Sequence, residues 1–233
     1  MIMEEIEQAY DSICERVSQA AQRSGRDTSD INLIAVSKRQ PLEKIRALKD
    51  LGHTVFAESK QQEGSIKVSA LPANLEWHFI GGIQKNKVRK ILGQFSTIHS
   101  VHSLELATYM NQVASDMGKY PKVYLQVNLA NEASKQGFSV IEIREYWDQL
   151  LDLDRLEIQG LMLIPPIEED PEATREWFMK LRELAQELSD AVGIPSLKLS
   201  MGMSHDFEMA IEEGATDIRV GSALFGKRLT GLR

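Results

Sequence analysis

A single cysteine, Cys14, occurs in the 233 residues. An internal disulfide framework, a multi-cysteine metal centre and a Cys-x-x-Cys redox pair are therefore excluded, and a reducing cytosol suits the chain. No stretch of 18 or more apolar residues occurs either, which leaves nothing long enough for a spanning helix. The opening MIMEEIEQAY is acidic where a secretory signal would be basic, so the expectation is a cytoplasmic protein. Basic residues are in the minority, with 27 Lys and Arg against 34 Asp and Glu and a net charge of -7. That balance argues against nucleic acid or an anionic membrane as the main partner and for a small metabolite. Also missing are a GxGxxG after the first apolar run, any GxxxxGK[ST], and any linker, low-complexity tract or repeat. One domain over residues 1–233 is the economical reading, without the usual dinucleotide or P-loop fingerprints.

What is present is an alternation. Ile6, Tyr10, Ile13 and Val17 recur in steps of four, three and four, the stripe of an amphipathic helix that closes near Gly25. Eight short β-like runs follow, at 31–37, 54–58, 76–81, 97–101, 123–128, 157–163, 198–200 and 217–220. Helical patterns separate them. One carries Leu106, Met110, Val113 and Met117; another, opened by Asp170-Pro171, carries Trp177, Leu181, Leu184 and Leu188. Strands alternating with helices imply a parallel sheet with right-handed crossovers, and INLIAV and VYLQV are apolar enough to be covered on both faces. Eight such units after an extra N-terminal helix predict an α/β fold, a single (β/α)8 TIM barrel.

In such a barrel functional groups collect where the strands end at their C-terminal side. The first run, INLIAVSK, stops on Lys38. A lysine there either snorkels to water or, partly desolvated, offers a free amine to an aldehyde. The last quarter favours the second use. Two glycine- and serine-bearing turns, SMGMS after the seventh run and RVGSALFG after the eighth, fall where these barrels bind phosphate. Ser200, Ser204 and Ser222 add hydroxyls, and Gly221 permits close approach of the backbone. Arg219, between Ile218 and Val220, is placed by alternation either in the mouth or in a surface ion pair. If it points inward it can only donate hydrogen bonds, so a pyridine nitrogen facing it would be an unprotonated acceptor. An amine for an aldehyde, a phosphate cup and an arginine donor together describe pyridoxal 5'-phosphate (PLP). His78 could lie beside the cofactor plane, although a histidine within an apolar run is more often a satisfied core group. Trp77 and Trp177 read as packing residues, and the cluster Lys85, Lys87, Arg89 and Lys90 as a solvated helix face.

The blocks AVSKRQP (35–41), WHFIGGIQKNK (77–87), QVNLANEASKQGF (126–138), GLMLIPP (160–166) and SMGMSHDFEMAIEEGATDIRVGSALFG (200–226) resemble the YggS/PROSC-type pyridoxal-phosphate-binding proteins, also called PLP homeostasis proteins. The resemblance spans nearly the whole chain. It implies a relative of the alanine racemase N-terminal domain, of PLP fold type III, with Lys38 as the Schiff-base lysine holding the cofactor as a covalent aldimine. It also implies that Ser200, Met201, Gly221 and Ser222 surround the phosphate and that Arg219 faces the pyridine. Ser59 stands in FAES (56–59) where the family usually has FGEN, Gly82 replaces a common histidine, and Leu163 a common threonine or serine.

The first expectation is accordingly a non-catalytic, cytoplasmic, monomeric PLP carrier serving PLP homeostasis and amino- and keto-acid balance. Its implied partners are PLP-dependent apoenzymes or a regulatory protein. A racemase needs acid–base groups on both faces of the substrate carbon, and a chain filled by eight βα units leaves no room for a second domain to supply one. The alternatives are a small PLP-dependent amino-acid racemase using His78 or Tyr124 as second base, and a sugar-phosphate enzyme using Lys38 on its own substrate.

Overall fold

A computed structural model describes residues 2–132 and 135–226; residues 133 and 134 of the 126–138 block lie outside the described residues. The chain begins with helix α1 (Ile2–Arg23). The barrel units follow: β1 (Asn32–Val36), α2 (Leu42–Asp50), β2 (Val55–Glu58), α3 (Gln61–Ala70), β3 (Glu76–Phe79), α4 (Val88–Gln94), β4 (Thr97–Val101), α5 (Leu104–Met117) and β5 (Lys122–Val127). Two short helices, α6 (Val140–Glu145) and α7 (Trp147–Leu151), lead to β6 (Glu157–Leu163). Then come α8 (Pro171–Val192), β7 (Lys198–Met203), α9 (Phe207–Glu212), β8 (Asp217–Val220) and α10 (Ser222–Phe225). The eight strands are all parallel and close in sequence order, β8 pairing back onto β1. The predicted barrel is present.

Local chemistry explains the element ends. α5 starts where Ser103 Oγ accepts the Leu106 N–H and stops at Gly118 in the left-handed region, the usual N-cap and glycine C-cap pair. α8 starts with the Asp170 side chain on the Glu172 N–H and Pro171 in the first turn, where a missing N–H costs nothing. α1 buries Ile6, Ile13 and Val17, and Tyr10 packs half-buried at the edge of the same stripe.

Two layers of side chains separate by strand parity. Ala35, Phe56, Trp77, Phe79, Ile98 and Leu125 belong to the large cluster between sheet and helices, whereas Ile34, Val36 and Ala57 form a small cluster of their own inside the barrel. Beyond these and the buried Met162, polar side chains fill much of the interior. His78, His99, Tyr124, Ser200, Asp217 and Arg219 are all buried, and only mutual hydrogen bonds make that tolerable.

The seventh strand departs from the sequence reading. SMGMS was expected as a turn after a strand ending at 200; instead β7 runs to Met203, and its register against β8 shifts between Ser200 and Met203. Gly202 makes this possible. Its φ is +91°, and an added Cβ would stand 2.6 Å from Ala210 Cβ and 3.0 Å from Phe207 Cα, so α9 lies directly on the strand backbone. Overpacking and left-handed strain each cost about 1–3 kcal/mol. Gly202→Ala should therefore lower unfolding free energy by about 3 kcal/mol in urea titrations; a loss under about 1 kcal/mol would mean that α9 moves aside freely.

Candidate functional site

Barrel closure brings the two ends of the sequence together. β1 and β8 pair with Ile34 opposite Arg219 and Ala35 opposite Val220. Beyond them an added Cβ on Gly221 would meet Val36 Cβ at 3.4 Å. Lys38, two residues past Val36, and the turn Gly221-Ser222 thus leave from adjoining strand ends at the C-terminal mouth. Ser59 lies just past β2, the next strand, half-buried; the loop after β3 crowds it so closely that a Cβ on Gly81 would come within 1.9 Å of the Ser59 carbonyl oxygen. A cleft of about 510 Å³ opens the mouth further round, between Ile80, Gly82, Gln126, Lys135, Gln136 and Ile164.

Lys38 is half-buried, and the backbone on both sides of it is fastened. Before it, the carbonyl of buried Ser37 accepts Lys67 Nζ at 2.7 Å, and Ser37 Oγ donates to Glu58 Oε1 at 2.7 Å. After it, Arg39 takes a left-handed φ of 59° and donates its N–H to Glu63 Oε1 at 2.6 Å. Lys67 joins the two halves, with Nζ 2.6 Å from Glu58 Oε1 and 2.7 Å from Glu63 Oε1. Burial pushes the Glu58 carboxyl up, and Lys67 and Ser37 oppose that rise. The sequence reading did not single out this cluster; Glu63 and Lys67 are four residues apart on α3, but Ser37 and Glu58 join them only from the ends of β1 and β2.

Arg219 points inward and is 4% exposed. Its NH1 donates to Ser200 Oγ at 2.7 Å and its NH2 to the Leu163 carbonyl at 2.8 Å. Burial pulls its pKa down to about 10, still leaving a cation at neutral pH. A guanidinium has five N–H donors, so this anchoring leaves donors for a ligand above. Ser200 differs from the expectation. Its Oγ lies in the barrel interior, shared between Arg219 and His99 Nδ1 at 2.8 Å, so its hydroxyl is engaged with the arginine and histidine. Met201 packs its side chain into the outer cluster and offers the mouth only backbone. At the turn after β8, the N–H groups of Gly221 and Ala223 both donate to Ser204 Oγ, each at 3.2 Å. Two backbone donors converging on one oxygen form the cradle a phosphate oxygen requires, with Ser222 between them.

His78 and Tyr124 face the other way. Both line a cavity of about 690 Å³ at the N-terminal end of the barrel. His78 is engaged at both ring nitrogens, by His99 and Glu76. Tyr124 donates its hydroxyl to Asp217 Oδ2 at 2.7 Å, and burial raises its pKa well above the usual phenol range. Neither is placed as a second base at the mouth. The sequence reading passed over His99, which stacks on Tyr124 at 4.4 Å and 5°; the signal was a histidine at the inward parity of TIHSV. Among the described residues no group of three or more His, Cys, Asp or Glu is placed to hold a metal.

Comparison with known proteins follows this geometry. Residues 9–228 match the family described as alanine racemase, N-terminal domain. A pyridoxal phosphate homeostasis protein of Aquifex aeolicus is 41% identical over 217 residues, 93% of this chain and 95% of that one. The chain belongs to the pyridoxal phosphate homeostasis protein family. The Escherichia coli K12 member is 34% identical over 97% of this chain and 98% of its own. Among solved structures, PipY of Synechococcus elongatus with PLP bound is 39% identical, covers 92% of this chain and 100% of that one, and superposes with a TM-score of 0.80. An alanine racemase of Clostridium difficile shares the barrel alone, at 15% identity, a TM-score of 0.75 and 57% of that chain covered. In this homeostasis-family barrel the Lys67 cluster is the structural support of the lysine loop. Lys67→Met leaves the Glu58 carboxylate buried without its cation and should cost about 3–5 kcal/mol. Glu58 already has a raised folded-state pKa, so it binds its proton more tightly folded than unfolded, and its contribution to stability falls as pH rises between the unfolded and folded values. Removing Lys67 widens that window. The variant should lose most stability at neutral pH and regain part of it in acid, as read by thermal melts across pH; an equal loss at every pH would refute the assignment.

Proposed function

We propose that this chain binds pyridoxal 5'-phosphate at the C-terminal mouth of its barrel, with the aldehyde joined covalently to Lys38, and holds it for supply to other proteins without turning it over. The observation that carries this reading is the adjacency of the β1 and β8 ends, which sets the lysine loop beside Arg219 and the Gly221 turn. Relatives named pyridoxal phosphate homeostasis protein and the PLP-bound PipY structure support it.

The parts fit the cofactor. Lys38 would hold the aldehyde, which when bound would supply a condensable carbonyl. The Gly221 and Ala223 N–H groups, which here converge on Ser204 Oγ, would with the Ser204 and Ser222 hydroxyls hold the phosphate. Ser59 flanks the lysine loop, and Met201 contributes backbone. Arg219 would donate to the ring nitrogen, while Ser200 and His78 would act from below it. When bound, the group supplies a condensable aldehyde and an electron-withdrawing ring. A ring nitrogen that meets a guanidinium remains an acceptor, because arginine has no proton to give up at neutral pH. That weakens the ring as an electron sink, and Tyr124 and His78, the two groups weighed as a racemase's second base, are engaged elsewhere. Storage and delivery, with PLP-dependent apoenzymes or a regulatory protein as recipients, is the function this arrangement serves.

Apoprotein mixed with the cofactor should turn yellow, and borohydride followed by peptide mapping should place the label on Lys38. Lys38→Ala should stay colourless, and a label elsewhere would overturn the attachment. Incubation of the loaded protein with L-alanine should give no racemisation above that of free cofactor; steady racemisation would restore the enzyme reading. Arg219→Ala should weaken cofactor binding roughly 10- to 100-fold, the worth of a charged hydrogen bond, with an unchanged circular dichroism spectrum. Unchanged affinity would remove Arg219 from the site.

A further inference from the structure

Four contacts run in series through the barrel interior. Arg219 NH1 lies 2.7 Å from Ser200 Oγ, Ser200 Oγ 2.8 Å from His99 Nδ1, His99 Nε2 2.9 Å from His78 Nδ1, and His78 Nε2 3.0 Å from Glu76 Oε1. The strand order is β8, β7, β4, β3. The series thus crosses the barrel from the arginine near the C-terminal mouth to a partly exposed carboxylate in the 690 Å³ cavity at the opposite end.

Its ends fix its direction. A guanidinium can only donate, and an ionised carboxylate can only accept. The His78 hydrogen bond lowers the Glu76 pKa, consistent with the ionised form. Ser200 Oγ accepts from Arg219, so its own proton is free to go to His99 Nδ1. His99 then carries its hydrogen on Nε2 and gives it to His78 Nδ1, and His78 carries its hydrogen on Nε2 and gives it to Glu76. Burial lowers the His99 pKa well below the ordinary value, in keeping with a neutral ring. The reverse order would require a doubly protonated His78, would make Ser200 accept from both sides, and would leave the serine proton without any of these partners.

We propose that this one-way chain makes Ser200, His99, His78 and Glu76 positioning residues for Arg219, so that the hydrogen-bond state of Glu76 at the far end of the barrel is felt at the cofactor ring. The chain stands on geometry alone; its effect on the cofactor rests on the PLP reading above. His99 has little freedom to leave it, since it is fully buried and stacked on Tyr124, whose hydroxyl is held in turn by Asp217. Each link also polarises the next, which makes such chains stiffer than isolated bonds.

The test has two arms. In cofactor-free protein, long-range nitrogen–proton NMR should show the Nε2–H tautomer for both His78 and His99. A His99 with its proton on Nδ1, or a doubly protonated His78, would overturn the chain whether or not PLP binds. Glu76 is then replaced in two ways. Glu76→Gln keeps a carbonyl oxygen to accept from His78 and should leave the His99 and Arg219 side-chain resonances, and the absorbance and affinity of bound PLP, close to those of wild type. Glu76→Leu removes the final acceptor; it should shift those resonances in the cofactor-free protein and weaken PLP about threefold to tenfold, the effect of one ordinary hydrogen bond. If Leu and Gln behave alike, Glu76 does not position Arg219 and the proposal fails. If the resonances respond but wild type takes up no PLP, the cofactor reading fails while the chain stands.

Discussion

The pairing of β8 with β1 is the constraint on which the rest of this molecule depends. Were the same eight strands to form an open sheet, Lys38 and Arg219 could lie at opposite edges. Closure instead sets Ile34 against Arg219 and Val36 beside Gly221. A lysine from the first fifth of the chain and donors from its last tenth then share one rim, and each comes from a different strand end, as the barrel architecture favours. The polar interior depends on the same closure. Ser200, His99 and Arg219 satisfy one another only because β4, β7 and β8 face a common axis.

Much of this was legible in the residues. Strand number, the amphipathic α1 and the helix start at Asp170 follow from periodicity and capping, which are local. Lys38 and the Gly221 turn were legible because strand ends in a barrel have assigned uses. The end of β7 was misplaced because a short glycine-containing segment looks like a turn, whereas Gly202 in a left-handed conformation lets the strand continue to Met203 with α9 pressed against it. His99 and the Lys67 cluster were harder to see for another reason: beyond the inward parity of TIHSV and the four-residue step from Glu63 to Lys67, their partners come from other strands. His78 was weighed as a cofactor neighbour, and the better description is a satisfied interior histidine three contacts removed from Arg219.

The likeness to alanine racemase shows the barrel alone, since fold and function are separable. What distinguishes this chain is the use of its interior. Residues that could have served as acid–base groups are spent on one another: Tyr124 on Asp217, His78 on Glu76 and His99.

The anchor of Arg219 at Leu163 has a consequence for how the sequence can vary. The guanidinium is held there by a main-chain carbonyl, while the leucine side chain belongs to the layer under the helices. Every amino acid brings that same oxygen. Position 163 can therefore carry a hydroxyl or a branched hydrocarbon, and the arginine keeps its anchor either way.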